Sequence, residues 1–177
     1  MALPFSTWGR SIGIEVKSTV SVVDCVSTVD QTKTFYAGRA VTIDSTSKKL
    51  IPVEANLKPL GLAKFNKNTY VDETLNNYGM MGSGLGTTVM FGTVEVSPNY
   101  FTIADGTEVV VDNFVAGMTA AAPLAPIYVV TAAGADLGKL TPTLVAPGPG
   151  QNELTVVGYL LVAPTTETPI MKMFVQL

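Results

Sequence analysis

Acid–base and nucleophilic chemistry near neutral pH most often relies on histidine, and this chain of 177 residues has none. The usual general base and the commonest nitrogen ligand for zinc are therefore missing. The single cysteine, Cys25, lies in the apolar run Val22-Val23-Asp24-Cys25-Val26. There it reads as a small buried hydrophobe, and alone it cannot form an internal disulfide. The stretch Gly79-Met80-Met81-Gly82-Ser83-Gly84-Leu85-Gly86 resembles a phosphate-binding loop only in its glycines. It contains no Gly-x-Gly-x-x-Gly, no Gly-Lys-Ser/Thr follows it, and Ser83 is not in a Gly-x-Ser-x-Gly elbow. It reads as a loop whose Met80 and Met81 supply adaptable contact surface.

The carboxylates are scattered. Asp72 and Glu73 adjoin, while Asp105, Glu108 and Asp112 fall around one expected hairpin. Neither group has the spacing of an EF-hand loop, and both read as turn and surface residues. Tyr70, Tyr78, Tyr100 and Phe101 could line a sugar-binding platform, although ordinary core or rim positions account for them better. The segment Leu3-Pro4-Phe5-Ser6-Thr7-Trp8-Gly9-Arg10 carries the only tryptophan, with an aromatic and a cation close by. Trp and Arg are the residue types that most often anchor interfaces. Phe5, Trp8 and Arg10 are therefore expected to reach a neighbouring subunit or surface as an N-terminal arm.

The elements that must position these groups are strands. Ile12, Ile14 and Val16 alternate with Gly13 and Glu15, the period of a half-buried strand. Comparable runs are 40–43, 60–65, 89–96, 108–111, 127–131, 154–162 and 170–177, separated by Gly- and Pro-rich turns. The uncharged run from Phe114 to Ala135 has membrane length, but Pro123 and Pro126 break its middle. It reads as an Ala/Pro connector leading into a strand. Charged residues make up 14% of the chain, against roughly 25% in an ordinary soluble domain. Such a surface suits a protein largely covered by neighbours. The net charge is −3 without a Lys/Arg cluster, which argues against a nucleic-acid partner. The start, MALPFSTWGR, lacks the basic and apolar regions of a signal peptide.

The chain also carries an internal repeat. Thr87–Val96 aligns without gaps on Thr168–Leu177, with three identities and three conservative pairs. Upstream, Val41-Thr42-Ile43, Lys49-Leu50-Ile51-Pro52 and Leu60-Gly61-Leu62-Ala63 recur in order as Tyr128-Val129-Val130, Lys139-Leu140-Thr141-Pro142 and Val157-Gly158-Tyr159-Leu160. The expected fold is all-β: a compact β-barrel or β-sandwich, either one pseudo-symmetric barrel or two related modules. In domain terms this gives an arm over 1–10, a first module over 11–112, a connector over 113–126 and a second module over 127–177.

Those pieces, in that order, resemble the head decoration or structural cement proteins of tailed bacteriophages. The resemblance rests on Gly38-Arg39-Ala40-Val41-Thr42-Ile43, the Lys-Leu-x-Pro hairpin, Pro59-Leu60-Gly61-Leu62-Ala63 and the C-terminal Phe174-Val175-Gln176-Leu177. It spans residues 35–65 and 125–177, and residues 66–85 fit none of it. It implies a non-enzymatic β protein without cofactor or metal, made in the host cytoplasm and bound to the outside of the virion capsid. The implied partners are the major capsid protein and copies of itself, as a trimer or dimer, and neither nucleic acid nor membrane. The alternatives are a tail-tube or other virion subunit and a carbohydrate-binding β module. If Phe5, Trp8 and Arg10 form a contact arm, deleting residues 1–10 should weaken partner binding and leave the thermal midpoint nearly unchanged. A large drop in the midpoint would instead assign Phe5 and Trp8 to the domain's own core.

Overall fold

The computed structural model describes residues 14–16, 23–30, 32–54, 57–64, 85–104, 107–144 and 156–177. These residues form twelve strands: β1 (Ile14–Val16), β2 (Val23–Thr28), β3 (Ala40–Ile43), β4 (Leu50–Pro52), β5 (Gly61–Ala63), β6 (Leu85–Val96), β7 (Asn99–Ala104), β8 (Thr107–Asp112), β9 (Pro126–Val129), β10 (Leu140–Thr141), β11 (Val156–Val162) and β12 (Met171–Gln176). One 3-10 turn, Ala116–Ala120, interrupts them and buries Met118. The all-β expectation holds. Among the described residues no helix is long and apolar enough to cross a membrane.

Period-2 alternation locates several strands closely. β3 spans the expected residues, and β11 and β12 agree within two residues at each end. In β12 the inward Met171, Met173 and Val175 are buried while Lys172 and Gln176 are exposed. Strands β2 and β7 were not among the expected runs. The first contains Asp24 and ends in Ser27-Thr28, and the second mixes Asn99 and Thr102 with its apolar residues, so neither alternates cleanly.

β6 organises everything else. Its last six residues pair antiparallel with β12, from Phe91 opposite Gln176 to Val96 opposite Met171. Further back, on the same edge, Val89 and Thr88 pair with Leu62 and Ala63 of β5. The opposite edge carries β2 over Leu85–Phe91 and β1 over Val94–Val96. The strand bends where the partners change. Gly92 has φ +126°, open to glycine but strained for other residues, and the β2 register slips opposite Phe91 and Val89.

The main sheet follows the order β10-β9-β11-β12-β6-β5-β3-β4. The order is a repeat: β4-β3-β5-β6 on one side of the bend, β10-β9-β11-β12 on the other. Each run curls until a parallel bridge reaches its outermost strand: Val29, just after β2, meets Leu50 of β4 in the first curl, and Phe114, just after β8, meets Leu140 of β10 in the second. The supporting hydrogen bonds repeat as well. Asp30 N donates to Leu50 O at 2.9 Å, and Val115 N to Leu140 O at 3.0 Å. Gly38 N donates to Ala63 O and Leu124 N to Leu160 O; Ala63 N donates to Arg39 O and Leu160 N to Ala125 O. At the hairpin turns Lys48 N donates to Asp44 O and Gly138 N to Val130 O, with φ +59° and +82° at the two donors.

These contacts match Lys49–Pro52 with Lys139–Pro142 and Leu60–Ala63 with Val157–Leu160, as the sequence pairing has them. They correct the other two alignments. Val41-Thr42-Ile43 corresponds to Ile127-Tyr128-Val129, one residue earlier, and Thr88-Val89 corresponds to Met173-Phe174, four residues from the ungapped match. An even slip keeps every alternating side chain on its face, so a period-2 pattern cannot detect it.

Gly61 and Gly158 occupy the same place in the repeat. A Cβ on Gly61 would meet the Thr88 methyl and the Val89 carbonyl oxygen, and one on Gly158 the Phe174 carbonyl oxygen. The strands approach closely only because those atoms are absent. Gly158→Ala should therefore destabilise by about 1–3 kcal/mol, the usual cost of overpacking. Gly117→Ala, whose Cβ meets nothing within 4 Å, serves as the control in parallel urea titrations.

Candidate interaction surface

Most side chains singled out for chemistry lie outside the described residues: Phe5, Trp8 and Arg10 of the arm, Tyr70, Asp72, Glu73, Tyr78, Met80, Met81, Ser83 and Asp105. Cys25 pairs with Thr88, Tyr100 with Val111, Phe101 with Val110 and Glu108 with Ile103 through their backbones, but these four side chains too fall outside the description. The expected hairpin around Glu108 and Asp112 is present as β7–β8. Among the described residues no three His, Cys, Asp or Glu side chains gather as metal ligands.

Two of the described carboxylates build turns. Asp30 accepts hydrogen bonds from Thr32 Oγ1 at 2.7 Å and Thr32 N at 2.9 Å. Asp44 accepts one from Ser47 N at 2.6 Å. Both carboxyls are held below their ordinary value of 3.8, Asp30 mainly by the Thr32 hydroxyl and Asp44 mainly by the side chain of Ser47, with the backbone bonds second. They favour the charged form and are unsuited to act as acids near neutral pH.

The seam between the curls is held by Arg39. Its Nη2 and Nε donate to Asp112 O at 2.7 and 3.1 Å, and its Nη1 donates to Leu137 O at 3.2 Å. The guanidinium also lies 5.8 Å from the centre of the Tyr36 ring. Burial pushes its pKa down, yet a guanidinium keeps its charge in proteins. Beside it Lys139 pairs with Asp136 at 2.7 Å and Asp112 at 3.4 Å.

Apolar packing along the seam is asymmetric. Inside the first curl Val29, Phe35, Val41, Leu50 and Ala63 form their own cluster. Their counterparts Phe114, Ile127, Leu140 and Leu160 belong to a larger cluster, shared with Ala37, Ala40, Val53 and Leu62 from the first curl's outer face. That outer face is therefore covered: Leu62 and its cross-strand partner Val89 are wholly buried. The corresponding pair in the second curl is Tyr159 and Phe174. Here nothing in the chain's described residues covers the position, and Tyr159 is 40% exposed. Phe174 is half-buried and meets Phe91 edge-on, with ring centres 4.9 Å apart. Leu161, Val162 and Leu124 extend this bare face, Leu124 being 69% exposed. The Lys172–Glu95 pair, at 2.7 Å, lies in the next β6–β12 register.

Sequence reasoning named four other aromatics as a contact platform and missed this row. The available signal was the alternation of β12, in which Phe174 takes a position that Lys172 and Gln176 give to polar groups. The exposed apolar side chains Tyr159, Leu161 and Val162 of β11, with Leu124, offer area for contact with another macromolecule.

Removing the guanidinium tests the seam. Arg39→Ala should lower stability by roughly 1.5–3 kcal/mol, the range for hydrogen bonds from a charged donor, and Arg39→Lys should recover only part of it. Equilibrium unfolding reads both. A pH prediction follows from the two turn carboxylates. Their folded pKa values are depressed, so their contribution is complete above about pH 4 and is lost as pH falls through the folded values. Asp30→Asn with Asp44→Asn should therefore show a smaller loss of thermal midpoint than the wild type on acidification below that pH.

No protein-family model matches the sequence, and no curated protein does. Among solved structures, the chain is similar to one from a structure described as the capsid of Myoviridae phage XM1, with 18% identity and a TM-score of 0.52. The match covers 92% of this chain and 88% of that one, so the likeness is one of fold across nearly the whole length of both.

Proposed function

We propose that this protein is a non-enzymatic structural component of a phage virion, bound to the outer surface of the capsid, where it stabilises the lattice of the major capsid protein. The observation that carries the reading is the near full-length fold likeness to a chain from a phage capsid structure. It agrees with the independent resemblance of the sequence cues to decoration and cement proteins. A capsid neighbour also favours a place on the head over one in a tail tube.

The physical properties suit that task. Clamping a lattice needs area, shape and many copies, and avidity multiplies contacts that are individually weak. A chain with 14% charged residues and a bare face around Tyr159, Leu161 and Leu124 offers area with little desolvation cost. A symmetric homo-oligomer, a trimer or dimer, matches a symmetric lattice site. Phe5, Trp8 and Arg10 are assigned to an arm that reaches a neighbouring subunit or the shell.

Co-sedimentation of the purified protein with capsids of the encoding virus, beside an inert particle of similar size, tests the reading. Saturable binding at a fixed ratio to the major capsid protein is expected. Absence of binding, with assembly of the isolated protein into rings or tubes, would overturn it in favour of a tail component.

A further inference from the structure

At the step that leads into the parallel bridge, the second curl carries an insertion that the first lacks. In the first, Cys25 lies opposite Thr88; in the second, Val94 lies opposite Met173, the counterpart of Thr88. The register thus matches Thr28 with Ser97 and Val29 with Phe114. Thr28 joins Val29 directly, whereas between Ser97 and Phe114 the chain makes the hairpin β7–β8. Its base is pinned by Asn113, whose N donates to Pro98 O at 2.8 Å and whose Nδ2 donates to Ser97 O at 3.1 Å. Beyond that base the hairpin is a separate two-stranded sheet of six register pairs, and among the described residues no other strand pairs with it. A lone two-stranded hairpin is at best marginally stable in water. The first curl shows that the fold closes without one.

The hairpin's charge names the occupant of its open edges. Residues 99–112 contain Asp105, Glu108 and Asp112 and no Lys or Arg. Setting those three aside leaves eleven acidic against eleven basic residues, so the sequence's net charge of −3 equals that of this hairpin, whose Asp112, at the base, is paired with Lys139. A second copy offers it no opposite net charge, and two such hairpins repel. We propose that β7–β8 is the element that grips the capsid, adding its edge to a strand on a basic surface of the shell protein. This inference rests on the capsid-binding reading above. Edge addition supplies backbone hydrogen bonds, and complementary charge sets the register and speeds encounter.

Two variants of the full chain test it in capsid co-sedimentation, with sedimentation velocity on each free protein. The first replaces residues 99–112 by an Asn-Gly turn closing Pro98 onto Asn113. The second is Asp105→Asn with Glu108→Gln, which keeps the hairpin and removes two charges. The turn variant should keep its fold and lose at least tenfold in capsid affinity. The charge variant should bind several-fold more weakly and with a flatter salt dependence. If the turn variant fails to fold, the charge variant alone decides. Binding by a folded turn variant at wild-type affinity, or an unchanged salt dependence in the charge variant, would overturn the inference while leaving the capsid role standing. Loss of self-association with capsid binding intact would assign the hairpin to a second copy and overturn it as well. A wild-type protein that does not bind capsids would sink both readings together.

Discussion

The structure depends on one strand being paired along both edges. β6 serves as the last strand of the first curl and, beyond Gly92, as the strand that opens the second. A bend must come at the change of partners, because one flat strand cannot belong to two curled sheets. Glycine at that position, together with the register slip in β2, absorbs the turn. A shared strand also makes the curls mutually dependent. Displacing β6 would open the Val29–Leu50 curl and strip β12 of a neighbour in one event.

From that constraint follows the asymmetry that gives the molecule its surface. Packing the curls against each other covers the outer face of the first, where Leu62 and Val89 lose all contact with water. Fully burying side chains of this size contributes about 1.5–3 kcal/mol each. The same face of the second curl, carrying Tyr159, Phe174 and Leu161, is left without a cover from the described chain. Among the polar contacts of the described residues, the turn builders and the Arg39 seam hold shape. A molecule so arranged offers area and register, and the proposed place on a capsid asks for those two things.

Much of this was legible in the sequence, for identifiable reasons. Alternation located β3, β11 and β12, and Lys-Leu-x-Pro with the glycines at 61 and 158 marked equivalent places in the two curls. Registers were not legible where only period-2 alternation guided them, which is why the β6–β12 match slipped by four residues. The bare face was hidden for another reason. Leu62 and Tyr159 hold the same position in the repeat, and only the packing of one curl on the other buries one and exposes the other. The composition of 99–112 was readable, but its status as an insertion required the pairing of Val94 with Met173.

The proposed role is tested most directly by measuring this protein's copy number, relative to the major capsid protein, by quantitative mass spectrometry of purified virions. The account predicts a fixed ratio set by the symmetry of the lattice, unchanged by further purification and by the growth conditions of the host. Absence from the particles, or a ratio that drifts toward zero with each purification step, would contradict it.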